Sequence, residues 1–224
     1  MYAKRFVIVV SALVLFFAPQ VFAHRLIEND GTHVDAASAL AVVEPGVSQL
    51  ILHEVSENNQ EVWLTFGGTA GDSVYLQLGV PVIENLSEYL PAVALVGPGL
   101  PSATVPFDLP NGTGALTFET SSSEVEFFSE PFTGTESWIY VEEDVTLPST
   151  GTYYIVGYHP EDSAGKLWVA FGREEQFGIS DILAYPETLR TVRSFHEVSD
   201  DPLGIIPRLF LIVAAIMRLF AFVF

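Results

Sequence analysis

Apolar and polar positions alternate along most of this chain with the period of two that marks β-strands, most clearly between residues 146 and 178. Tyr153, Ile155 and Gly157 alternate with Tyr154, Val156 and Tyr158. A turn-rich run from His159 to Gly165 follows, after which Leu167, Val169 and Phe171 alternate with Trp168 and Ala170. The pattern predicts a β-hairpin with both faces largely apolar. Burial on two sides needs a second sheet on one face and further cover on the other, so the hairpin is expected at the centre of a sandwich.

Shorter alternating runs predict strands over residues 49–55, 61–66, 73–80, 92–96, 115–119, 125–128 and 138–145. Asn58-Asn59, the glycines between 67 and 71, the rigid Gly97-Pro98-Gly99-Leu100-Pro101 and several Ser/Thr/Gly clusters separate them. Residues 24–37 are expected as an irregular lead-in or first edge strand, while 36–43 read equally as helix. No helix alternates with the strands, which disfavours a parallel α/β sheet. The expected fold is all-β, an antiparallel β-sandwich or jelly roll over residues 24–178.

Beyond 178 the period changes. Ser180 is placed to cap a short helical segment in 179–201 that carries Ile182, Leu183 and Tyr185 and is broken or restarted at Pro186. Leu189, Val192 and Phe195 then recur at three-residue spacing. Arg190 and Arg193 fall on the opposite side, where they would meet lipid phosphates unless the element simply covers the end of a sheet.

The two ends are apolar throughout. Lys4 and Arg5, the apolar stretch 6–17 and the small-residue site Val21-Phe22-Ala23 read as a signal peptide over 1–23, whose removal leaves His24 as the amino terminus. Residues 202–224 read as a transmembrane anchor. Its last twenty residues, at about 1.5 Å each in a helix, match a hydrocarbon core of about 30 Å, with Arg208 and Arg218 able to snorkel to the two interfaces. The expected product is an exported domain tethered to a membrane on its extracytoplasmic (periplasmic or cell-surface) side.

Charge narrows the partners. The formal net charge is −19, and between His24 and Asp201 all 28 acidic residues face only Arg25, Lys166, Arg173, Arg190 and Arg193. Such a surface repels nucleic acid and anionic headgroups and favours cations or basic partners. Cysteine is absent, which excludes disulfides and thiolate metal sites.

The succession GTAGDSVYLQL, ALVGPGLP, EPFTGTESWIY, PSTGTYYIVGY and KLWVAFG resembles secreted bacterial jelly-roll domains. The similarity is to the pre-peptidase C-terminal type, with its Gly-Asp turn before a strand and its late Gly-Thr-Tyr-Tyr strand, and to exported proteins built as signal peptide, one sandwich and an apolar tail. It covers about residues 49–178 and implies a fold; the family supplies no catalytic residues.

Candidate chemistry is sparse. An amino-terminal His24 would offer its α-amine and a ring nitrogen to one metal, and His33 or His53 would complete a three-nitrogen set suited to Cu(II). This resembles the histidine brace of copper-binding β-sandwich proteins such as lytic polysaccharide monooxygenases and periplasmic copper carriers. Carboxylates at Glu142-Glu143-Asp144, Glu161-Asp162, Glu174-Glu175 and Asp200-Asp201 would ligate calcium unless they are simply solvated turns. No motif requires a cofactor, and no nucleophile elbow, zinc-protease helix or phosphate loop is present. Trp138 with Tyr140, and Tyr154 and Tyr158 with Trp168, would form aromatic platforms for a protein or glycan partner. The expected function is a non-enzymatic, membrane-anchored binding or scaffolding module that does not bind nucleic acid; the alternative is a copper-binding or copper-dependent redox protein using His24.

Overall fold

The computed structural model describes residues 24–123, 125–176 and 178–199. Two sheets pack face to face. The first has six strands in the order β1 (Arg25–Ile27), β3 (Gln49–Val55), β11 (Gly165–Phe171), β5 (Ser73–Pro81), β9 (Thr135–Thr146) and β8 (Glu126–Glu130). The second has five, in the order β2 (Leu40–Ala41), β4 (Glu61–Gly68), β10 (Gly151–Tyr158), β6 (Ala92–Gly97) and β7 (Gly114–Glu119). Both expected 24–37 edge strand and the ambiguous 36–43 run thus end as short edge strands. They also correct the expectation of purely antiparallel sheets: β1 pairs parallel to β3 and β2 parallel to β4, so both sheets are mixed.

The expected β-hairpin is overturned. β10 and β11 lie in different sheets, each between two other strands, β10 between β4 and β6 and β11 between β3 and β5. The connection between them is therefore an arch across the core. Its length and chemistry suit an arch: Pro160 follows His159, Asp162 takes φ 54°, and His159 Nδ1 accepts the N–H groups of Glu161 and Ser163 at 3.1 and 3.3 Å. Two-sided apolar patterning is what a central strand needs in either sheet, so the pattern did not distinguish pairing from facing.

Inward side chains of both sheets form one core that includes Ile51, Leu64, Leu76, Leu78, Leu95, Tyr153, Ile155, Leu167 and Phe171. Each sheet also has a covered outer face. On the six-stranded sheet, Leu52, Ile139, Trp168 and Ala170 meet Val192 and Phe195 of helix α1 (Ile179–Phe195). The Trp168 indole sits where a Cβ on Gly79 would project, so the neighbouring strand has to be glycine there. On the five-stranded sheet, Trp63, Val156 and Tyr158 lie under Ala103, Val105, Phe107 and Leu109 from the loop between β6 and β7.

Helix α1 departs from expectation in two ways. Its cap residue is Gly178 rather than Ser180, with the Asp181 carboxylate accepting the Gly178 N–H at 2.6 Å. Pro186 lies inside one continuous helix instead of breaking it. An interior proline costs about 3 kcal/mol; here Leu189, Val192 and Phe195, all buried, hold the following turns on the sheet. Arg193 is buried, donating to the carbonyls of Thr133 at 2.9 Å and of Ser199, which removes it from the lipid-facing role expected of it. The expected signal peptide and transmembrane anchor lie outside the described residues. Among the described residues no helix is long and apolar enough to cross a membrane.

Candidate functional site

The three histidines of the copper expectation sit at separate places. His24 precedes β1 and stands beside Ser48, whose Oγ is 2.6 Å from its Nδ1; burial pushes its pKa down to about 4. His53 lies five residues further along β3 than Ser48, about 16 Å at a strand's rise, and is buried. Its Nδ1 is 3.4 Å from Asn29 Nδ2 and its Nε2 makes no hydrogen bond; burial lowers its pKa to about 4, the Asn59 backbone partly opposing. His33 belongs to the loop before β2, with Nδ1 2.7 Å from the Ser38 carbonyl and Nε2 3.5 Å from Asp30. The α-amine that a brace needs belongs to a chain cleaved before His24, and residues 1–23 lie outside the description. Among the described residues no group of three or more His, Asp or Glu is arranged to hold a metal ion.

The carboxylate runs are dispersed. Glu142 and Asp144 on β9 meet Arg173 at 3.8 and 2.8 Å, and the same guanidinium lies 3.7 Å from the centre of the Tyr75 ring. Glu161 and Asp162 belong to the arch. A groove of about 880 Å³ beside α1 is lined by groups of both signs, including Asp30, Glu54, Asn59 and Arg190.

A Ser–His pair with no signature in the sequence lies under α1. Ser137 Oγ is 3.1 Å from His196 Nε2, His196 Nδ1 is 2.8 Å from the Val192 carbonyl, and Trp168 Nε1 donates to Ser137 Oγ at 3.1 Å. These partners assign Nδ1–H to the carbonyl and leave Nε2 accepting the serine hydroxyl. The geometry is that of a nucleophile and base, but both side chains are buried and their hydrogen-bonding capacity is taken up. The network therefore docks α1 on β9 and β11 and offers no surface to a substrate.

The aromatic platforms are also rearranged. Tyr154 and Tyr158 lie on the outer face of the five-stranded sheet, in edge-on contact with Trp63 and Phe107 respectively, at 5.7 and 5.2 Å. Trp168 lies on the outer face of the other sheet, under α1, so the three do not share a face. Trp138 and Tyr140 pack against the core.

What remains exposed is a strand edge. β7 and β8 end their respective sheets. The β6–β7 loop covers the start of the first: Pro101 accepts the Ala115 N–H at 2.9 Å, and a Cβ on Gly114 would run into the carbonyl oxygens of Leu100 and Pro101. β8 pairs with β9 from Glu126↔Ile139 to Glu130↔Thr135 and has no strand on its other side among the described residues. Phe127 is 55% exposed and Phe128 36%, with Val125 beside them at 41%. Phe127 falls in the row of Trp138, which faces the core, and Phe128 in the row of Ser137, which faces α1. Both faces of this strand thus carry a solvent-exposed phenylalanine. The sequence showed a strand here, but not that it would lie outermost.

No protein-family model matches the chain, and no curated protein matches it. Among solved structures, the pre-peptidase C-terminal domain of collagenase from Bacillus anthracis aligns with a TM-score of 0.31 and 8% identity over 59% of this chain and 93% of that one. The secreted protein MopE of Methylococcus capsulatus, in which an oxidized tryptophan facilitates copper binding, aligns with a TM-score of 0.24 and 11% identity over 51% of this chain and 70% of that one. These similarities are distant, and no residue role passes from them to this chain.

Proposed function

We propose that this chain is an exported, membrane-tethered β-sandwich that binds a partner at the outer edge of its six-stranded sheet and performs no catalysis. The observation that carries the reading is the exposure of Phe127 and Phe128 on a terminal strand of a sandwich whose two outer faces are covered in part by its own loop and helix. Exposed aromatics are the usual anchors of protein interfaces, and these two stand on opposite faces of one free edge. The apolar character of residues 1–23 and 202–224 supports export and tethering, and the acidity of the sequence between them supports a basic partner.

Two measurements test it. Protease added to intact cells or spheroplasts is expected to digest the sandwich while sparing a membrane-embedded tail; full protection would remove the proposed location. A photo-crosslinking residue placed at Phe127 in the native membrane is expected to give a discrete adduct, and one placed at the exposed Val43 none. Absence of any adduct at Phe127 would overturn the binding reading.

A further inference from the structure

From the unpaired ladder of β8, its two exposed phenylalanines and its acidic flanks, we infer that this edge adds an extended, basic segment of a partner protein as a seventh strand. The inference rests on the binding reading above and names the partner's chemistry. In an antiparallel pair, alternate residues turn their N–H and C=O groups away from the neighbour. Over the five residues Glu126–Glu130, about two or three residues therefore present both groups to solvent, along roughly 17 Å. An incoming strand would satisfy them, lay apolar side chains beside Phe127 on one face and basic ones beside Glu126 and Phe128 on the other, and extend the sheet order beyond β8.

Charge selects among occupants. Glu126 lies exposed on the strand and Glu136 exposed on its neighbour β9, and no lysine or arginine occurs between residues 26 and 165. A second copy pairing β8 to β8 would bring like carboxylates together across the new ladder, in molecules each carrying a net charge of −19. A strand alternating lysine or arginine with β-branched residues instead places its positive charges against these carboxylates. The other terminal strands are poorer competitors: β1 and β2 have three and two residues, and the start of β7 is taken by the Pro101 carbonyl and the loop that packs over it.

The test uses the full chain in detergent and a fluorescent peptide, acetyl-KVKVKVK-amide, followed by anisotropy and by amide hydrogen exchange. The control KVKPKVK keeps the charge and length but loses a ladder donor and the extended geometry. Expected results are at least tenfold tighter binding of the first peptide, at least tenfold slower exchange confined to residues 125–130, and several-fold weaker binding to Glu126→Lys and to Phe127→Ser, each with an unchanged Tm. Equal binding of the two peptides would reduce the contact to non-specific charge attraction and overturn the inference. So would binding of EVEVEVE, protection at another strand, or a β8 already protected in the free protein, which would mark it as occupied by a second copy or by another part of the chain. A crosslink at Phe127 in the native membrane together with failure of the peptide would retain the binding module and reject strand addition; loss of both would reject the module itself.

Discussion

The edges β7 and β8 face the same physical problem and solve it differently. Each terminates a sheet, and each would expose a row of unpaired backbone groups. At β7 the chain covers the start of its own edge, where the Pro101 carbonyl accepts the Ala115 N–H, while Ala103, Val105, Phe107 and Leu109 of the same loop pack on the outer face of the sheet. At β8 no comparable segment among the described residues closes the edge, and the phenylalanines stay out in solvent. Only the acidic residues and the shortness of β8 discourage indiscriminate pairing there. An edge whose start the fold closes with its own loop is in part structural; the one it leaves open presents donors, acceptors and apolar surface together.

The sharpest way to break this contrast is to spoil the covered edge. Gly114→Val would push the loop off β7, and a loss of about 3 kcal/mol is expected in denaturant unfolding, with faster exchange at the Ala115 N–H. Phe107→Ala removes the ring that meets Trp63 at 5.0 Å and Tyr158 at 5.2 Å, and is expected to cost about 2 kcal/mol by the same measurement, less than full burial would imply because the ring is only partly buried.

A third prediction concerns pH. Burial pushes the Glu130 carboxyl from 4.5 up to about 7, the Phe132 N–H partly opposing. The folded state then holds a proton that the unfolded state has released, so this residue's contribution lowers stability as pH rises from about 4.5 to 7, by on the order of 3 kcal/mol. Glu130→Gln is expected to remove that fall. His24 and His53 act oppositely: with pKa values lowered to about 4, they cost stability as pH falls from 6.5 towards 4. The Glu130→Gln protein should therefore show a steeper rise of Tm with pH across this range than the unaltered chain. The smallest expected effect is at the open edge itself. Phe127→Ser should leave unfolding free energy within about 0.5 kcal/mol, because the ring is largely in water already. A loss comparable to that of Phe107→Ala would show that β8 is structural too, and the contrast between the edges would disappear.

The strands were legible almost residue by residue, as at Gln49–Val55, because a period of two follows from the backbone alone. The site was much less so. Phe127 and Phe128 read as one more strand, and nothing local distinguishes an outer strand from an inner one. His53 read as a candidate ligand or as a surface or capping residue, whereas it is buried, and His196 gave no hint of Ser137, 59 residues earlier. Buried polar networks are assembled from distant segments, so spacing carries no trace of them.

Alternation, turn residues and charge, all properties of neighbouring residues, were enough to determine a β-sandwich with an acidic surface and apolar chain ends. Which strands pair, and which end a sheet, depended on contacts between segments far apart in the chain. Tyr153–Tyr158 and Leu167–Phe171 satisfy the same pattern whether they share a ladder or face one another across the core, and only the packing of both sheets around them made the connection an arch. The same packing left β8 outermost, since a strand's free edge exists only once every other strand has taken its place.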